Sequence, residues 1–195
     1  LVKPVVHLSA LESGRYHLMS AVDDGPIAVP QADGSVWKPQ NYDLTSHGVV
    51  PMYQALVKSY NQANVRLGID VGVKRVVAQL QRLGAEGNIP AYPSVLLGAV
   101  EMSPLNVNQV YQTIAGNGFY SPLTLVRQVT EANGVLLSHF PYAVRQAASN
   151  ESVYLLQQEM RKVATAGTAR GVYRYLPKQQ QVAAKTGTTN DQRDS

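Results

Sequence analysis

The sequence contains no cysteine, one tryptophan and two phenylalanines, and only 15% of its residues are charged. Without cysteine there are no disulfides and no thiolate-held metals; this fits the bacterial periplasm without requiring it. The low charge density beside 45% apolar residues excludes a disordered polar tail and leaves enough material for a core. Runs of like charge are also missing. The net charge of +4 is spread along the chain, and the eleven tyrosines are not interleaved with basic residues, so no nucleic acid is expected as a partner. No stretch of about 18 apolar residues is present to cross a membrane, and no signal peptide is visible. His7, His17, His47 and His139 have no metal-ligand spacing among them and read as surface or packing residues. No metal or cofactor is expected. At 195 residues the chain suits one domain, on a prior of roughly 100–200 residues each.

Apolar spacing and turn chemistry predict a mostly helical chain. Leu1 to Ser13 reads as a helix carrying Val5, Val6, Leu8 and Leu11, stopped at Gly14. Residues 19–48, rich in glycine, proline and aspartate, read as a long ordered loop with a short hairpin. Pro51 to Ser59 predicts a short helix with Met52, Ala55 and Leu56 on one face. A second helix runs through Val65 and Leu67, and a third spans Val73 to Leu83. Ser103-Pro104 caps a helix through Ala115 whose stripe is Leu105, Val107, Val110, Tyr111 and Ile114. Leu123–Thr130 and Val135–Ser138 predict a hairpin turning at Asn133-Gly134. Ser149 opens a helix carrying Val153, Leu156, Met160 and Val163. Gln181 to Thr186 predicts a late strand. One strand forms no sheet, so its partners are expected outside this chain.

Three short motifs carry chemistry. Lys3 stands where the lysine of Ser-x-x-Lys would stand if a serine preceded Leu1; Ser59-Tyr60-Asn61 is a Ser-x-Asn; Lys185-Thr186-Gly187-Thr188 is a Lys-Thr-Gly turn. The trio is the signature of penicillin-interacting serine acyltransferases. The chain is therefore expected to be a piece of one larger domain, residues 1–195, starting just after the nucleophile and ending just after the Lys-Thr-Gly turn. A serine hydroxyl needs an adjacent base. Residues three apart share a helix face, which places Lys3 beside that hydroxyl. A buried lysine near a second cation, Lys185, has a lowered pKa and can serve as a neutral amine base. Ser59 can relay a proton, and Asn61 can hold Lys3 on one side and a substrate amide on the other. Lys185 supplies positive charge for a substrate carboxylate, and Thr186 and Thr188 supply hydroxyl donors. Gly187 lets a substrate backbone lie against the strand edge. The backbone N–H of Thr188, with that of the nucleophile, can form an oxyanion hole. Each motif alone also has a plain structural reading: a solvated lysine at a helix end, a turn closing a helix, a polar β-turn.

Beyond the trio, the sequence resembles the transpeptidase domain of class A, bifunctional penicillin-binding proteins of the 1b type. The resemblance is carried by Pro26-Ile27, Trp37 to Asn41, Ser59 to Gly68, Leu96 to Ala99, Ser103 to Leu105, Gln112 to Ala115 and Lys185 to Asp191. It implies an α+β penicillin-binding (serine β-lactamase-like) fold, a five-stranded antiparallel sheet flanked by helices, only partly covered here. It also implies an upstream glycosyltransferase domain and membrane anchor on the periplasmic side of the inner membrane. The implied reaction is D,D-transpeptidation, or carboxypeptidation, of peptidoglycan stem peptides ending in D-Ala-D-Ala, with β-lactams as acylating mimics and cell-wall synthesis proteins as partners. The implied roles are Lys3 as base, Ser59 as relay, Asn61 as positioner, and Lys185, Thr186 and Thr188 as carboxylate site. Ala184 departs from the glycine that often precedes Lys-Thr-Gly. Two other readings share some features. A serine β-lactamase needs a glutamate to activate water, and Glu86, Glu101, Glu131, Glu151 and Glu159 sit in no matching local motif. A non-catalytic β-lactam sensor or cell-wall scaffold would have a residue other than serine before Leu1.

Overall fold

The structure, a computed structural model, describes residues 1–31, 33–141 and 143–187. Its centre is helix α1 (Lys3–Glu12), with Pro4 in the first turn. Every residue from Lys3 to Leu11 is buried, so this helix has no solvent face and is core on all sides. The chain then forms β1 (Ala21–Asp23), the hairpin β2 (Val29–Pro30) and β3 (Val36–Trp37), and β4 (Val49–Pro51), which returns to pair antiparallel with β1. The predicted loop at 19–48 is thus a strap held by its two ends.

Helices α2 (Met52–Val57), α3 (Asn61–Val71) and α4 (Val73–Arg82) follow. Gly72, at φ 103°, joins α3 to α4 in a conformation that residues with a Cβ rarely adopt. A 3-10 turn at Pro93–Leu97 leads to α5 (Pro104–Ala115), where Ser103 accepts from the Asn106 amide at 3.2 Å as its cap. The short ladder of β5 (Phe119–Tyr120) with β8 (Arg145–Gln146) brackets the hairpin β6 (Gln128–Thr130) and β7 (Leu136–His139). Last comes α6 (Asn150–Ala166), capped by Ser149, whose hydroxyl also donates to Glu12 at the end of α1 at 2.6 Å. A 3-10 turn at Arg170–Arg174 precedes an extended segment through Gly187.

Helix α1 packs against α2, α3, α4 and α6. Leu8, Leu56, Leu67, Leu80 and Leu156 meet there with almost no exposure, each contributing about 1.5–3 kcal/mol of burial free energy. The predicted stripe of α6 is buried as expected. That of α5 is buried only at Val110 and Ile114; Leu105 is 61% exposed, because the first turn of α5 extends past the core.

Two strand expectations are corrected. Leu123–Thr130 pairs only over Gln128–Thr130, in a hairpin that lies out in solvent. Gln181 to Thr186 is not a strand; among the described residues no ladder partner lies beside it, and the Ala184 amide donates instead to the Met160 carbonyl at 3.1 Å. The described residues form four two-stranded ladders, and the wider sheet that the resemblance implies is not among them.

Candidate active site

The start of α1, the corner between α2 and α3, and the segment after α6 converge on one cleft of about 760 Å³. Lys3, in the first turn of α1, is 8% exposed. Its ammonium group donates to the Ser59 carbonyl at 2.7 Å, to Ser59 Oγ at 2.9 Å and to Asn61 Oδ1 at 2.6 Å. Three donors thus meet three acceptors. Ser59 takes φ 61° between α2 and α3, a left-handed conformation costly for a residue with a Cβ. The turn aims its hydroxyl at the cleft rather than into either helix.

Lys185 reaches the same hydroxyl: its Nζ lies 2.9 Å from Ser59 Oγ and 2.9 Å from the Thr186 carbonyl. One hydroxyl therefore touches two lysine nitrogens. Burial first, then the charge of Lys185, lowers Lys3 to about 7, against a smaller upward pull from Asp24. Burial lowers Lys185 to about 8. The two lysines thus sit near neutrality but apart, the arrangement expected when one serves as base and the other as cation.

The sequence-predicted Lys3, Ser59, Asn61, Lys185, Thr186 and Gly187 are all brought together. Thr186 Oγ1 lies 2.7 Å from Thr168 Oγ1. A Cβ on Gly187 would lie 3.4 Å from the Leu1 side chain. Thr188 lies outside the described residues.

Several residues that motif reasoning missed support this corner. Asp24, fully buried, accepts from the Ala63 amide at 2.9 Å, and Asn41 Oδ1 accepts from the Asn61 amide at 2.6 Å. Both act as caps for α3, because its own N-cap, Tyr60, supplies no side-chain bond. Asn41 also donates to Asp24 at 2.6 Å, while the side-chain Nδ2 of Asn61 donates to the Gln40 carbonyl at 2.7 Å. Thr168 likewise went unseen. Asp24 and Asn41 stand in turn-rich stretches, where aspartate and asparagine ordinarily signal only turns.

The histidines fall where packing or surface positions were expected. His17 and His139 are exposed, His47 bonds Asp24 at 2.8 Å and stacks on Tyr60, and His7 is buried. Among the described residues no group of three or more histidine, aspartate or glutamate side chains could hold a metal.

A buried lysine, a strained serine and a second lysine meet around one hydroxyl, and comparison with known proteins shows the class of protein that carries this arrangement. The model of the penicillin binding protein transpeptidase domain matches residues 1–194, and the chain belongs to that family. It is 39% identical over 200 residues to penicillin-binding protein 1B of Vibrio cholerae and 37% identical over 200 residues to penicillin-binding protein 1B of Escherichia coli. All of this chain is covered in both cases, against 25% and 24% of those proteins, so it spans about a quarter of their length. Among solved structures, penicillin-binding protein 1A from Haemophilus influenzae matches with a TM-score of 0.87 at 20% identity, covering 97% of this chain and 34% of that one. PonA1 from Mycobacterium tuberculosis, in complex with penicillin V, matches at 0.79 and 24%, covering 96% and 52%. At these identities the structures speak for the fold, which is that of the penicillin-binding transpeptidases.

Proposed function

We propose that this chain is the acyl-transfer core of a peptidoglycan D,D-transpeptidase, and that residues 1–195 are part of one transpeptidase domain whose nucleophile is a serine immediately before Leu1 in the parent protein. The observation that carries this reading is the position of Ser59 Oγ, 2.9 Å from both Lys3 Nζ and Lys185 Nζ.

Neutral Lys3 takes the proton of the serine hydroxyl as its oxygen attacks the carbonyl carbon of the penultimate D-Ala. The carboxylate of the terminal D-Ala is drawn to Lys185, Thr186 and Thr188. Asn61 positions the substrate amide, and the backbone amides of the serine and Thr188 receive the negative oxygen; losing one such donor typically costs roughly 10²–10³ in rate. As the peptide C–N bond breaks, Lys3 returns the proton through Ser59 to the departing amine. The amine of a neighbouring stem then attacks the ester, gives up its proton along the same path, and releases the serine. A β-lactam enters at the first step and stays as the ester. The same family likeness supports a position on the periplasmic side of a bacterial inner membrane, with other cell-wall synthesis proteins as partners and an upstream segment as anchor. Among the described residues no helix is long and apolar enough to cross a membrane.

A β-lactamase is disfavoured by the positions of the glutamates. Glu86, Glu101, Glu131 and Glu151 are exposed, Glu159 is buried against His7, and none of the five lines the cleft. The test is to incubate the parent protein with a penicillin and map the adduct by intact mass and peptide mass spectrometry. A stable adduct on the residue preceding Leu1 is expected. No adduct, an adduct elsewhere, or rapid release of hydrolysed drug defeats the reading.

A further inference from the structure

His7 lies one turn beyond Lys3 on α1 and has no solvent exposure. Its Nε2 is 3.1 Å from Asn64 Oδ1, and its Nδ1 is 3.2 and 3.1 Å from the two carboxylate oxygens of Glu159. The Asn64 amide has one orientation open to it. Its nitrogen donates to the carbonyls of Tyr60 at 2.6 Å and Ala55 at 3.1 Å, and a carbonyl can only accept. The Asn64 oxygen therefore faces His7, and His7 Nε2 must donate to it. On the other side, Nδ1 and Glu159 hold one proton between them. Whichever atom carries it, an unbroken chain of bonds runs from Glu159 on α6 through His7 on α1 and Asn64 on α3 to the Tyr60 carbonyl.

That carbonyl is next in sequence to the one Lys3 grips. Helix α1 therefore holds two consecutive peptide groups of the Ser59-Tyr60-Asn61 corner: Ser59 directly through Lys3, and Tyr60 through His7 and Asn64. We propose, resting on the transpeptidase reading above, that Glu159, His7 and Asn64 are positioning residues that set the corner's distance from Lys3. Stability alone is a weak reason for such a chain, since apolar residues of similar volume often replace a buried ion pair at no loss. Hydrogen bonds add direction, and a shift of about 1 Å at a reacting centre can cost roughly 10² in rate.

The test uses penicillin acylation of the parent protein, separating non-covalent binding from the acylation rate constant, beside thermal unfolding. In His7→Phe/Glu159→Leu the pair goes together and only Asn64 Oδ1 is left unpaired, so the protein stays folded with a modest fall in unfolding temperature while the acylation constant falls about 10-fold or more and binding changes less than about twofold. Glu159→Gln, whose amide can donate to Nδ1 while Nε2 still serves Asn64, keeps the acylation constant within about threefold of the parent's. If the double variant does not fold, Asn64→Ser, which leaves the His7–Glu159 pair in place, must show the same selective loss of acylation. A folded double variant or Asn64→Ser that acylates at the parent's rate overturns the positioning role and leaves the transpeptidase reading intact. A parent protein that forms no adduct overturns both.

Discussion

At Lys3, burial and the nearby charge of Lys185 act in one direction, leaving it at about 7 while Lys185 sits at about 8. In the proposed mechanism the base must be neutral and the carboxylate-binding lysine charged, and that combination is most populated between these values. Acylation by penicillin is therefore expected to rise with pH through about 7, as Lys3 loses its proton, and to fall above about 8, as Lys185 loses its own. Stopped-flow rates across that range would check this; a flat profile would count against Lys3 as base. Lys3→Arg sharpens the point, because a guanidinium keeps its proton at any working pH. The variant is expected to bind penicillin but acylate about 10²–10⁴ more slowly, the usual weight of a general base. Ser59 adds that its left-handed φ of 61° is held where a glycine would rest more easily, so the hydroxyl there is bought with strain.

Among the elements, α3 shows how a helix end can be built from distant chain. The amides of Asn61 and Gln62 donate to Asn41 Oδ1 at 2.6 and 3.3 Å, and that of Ala63 to Asp24 Oδ1 at 2.9 Å. The strap between β1 and β4 thereby caps the helix that carries Asn61 at its first position. Asp24 also puts negative charge where the helix dipole favours it. Removing Asn41 costs the cap and leaves Asp24 short of a partner. Asn41→Ala is accordingly expected to lose about 2–4 kcal/mol in urea unfolding, with slower acylation as Asn61 drifts. A loss below about 0.5 kcal/mol, the range of a neutral surface change, would mean the strap does not hold α3. The caps at Ser103 and Ser149 were legible because each bonds an amide three residues on. Those of α3 were not, because Asn41 and Asp24 lie 20 and 39 residues from the amides they serve.

For the molecule as a whole, the crowded cations make stability depend on pH. Lys3 and Lys185 bind protons less well in the fold, at about 7 and 8 against 10.5 ordinarily. Through this window the unfolded chain holds more protons, so stability rises with pH. Only above about 10 do Tyr16, raised to about 12 by burial and then Asp70, and Tyr111, raised by burial, reverse the slope. Urea unfolding is expected to give a larger free energy at about pH 9.5 than at about pH 7, with a flatter slope in Lys3→Met; equal values would contradict the buried-cation picture. By itself the sequence determined the residue types that meet in the cleft, most of the helical stripes and the serine caps, because each is written in neighbouring residues through motif, helical period or local hydrogen bonding. The predicted strand at 181–186 forms no ladder among the described residues, because a strand is completed by its partner and, as expected from the sequence, the described residues supply none. Only the tertiary structure decided that Lys185 meets Ser59 across 126 residues and that Glu159 meets His7 across 152. Such pairs leave no periodic trace; the packing of α6 against α1 and α2 brings them within hydrogen-bond reach.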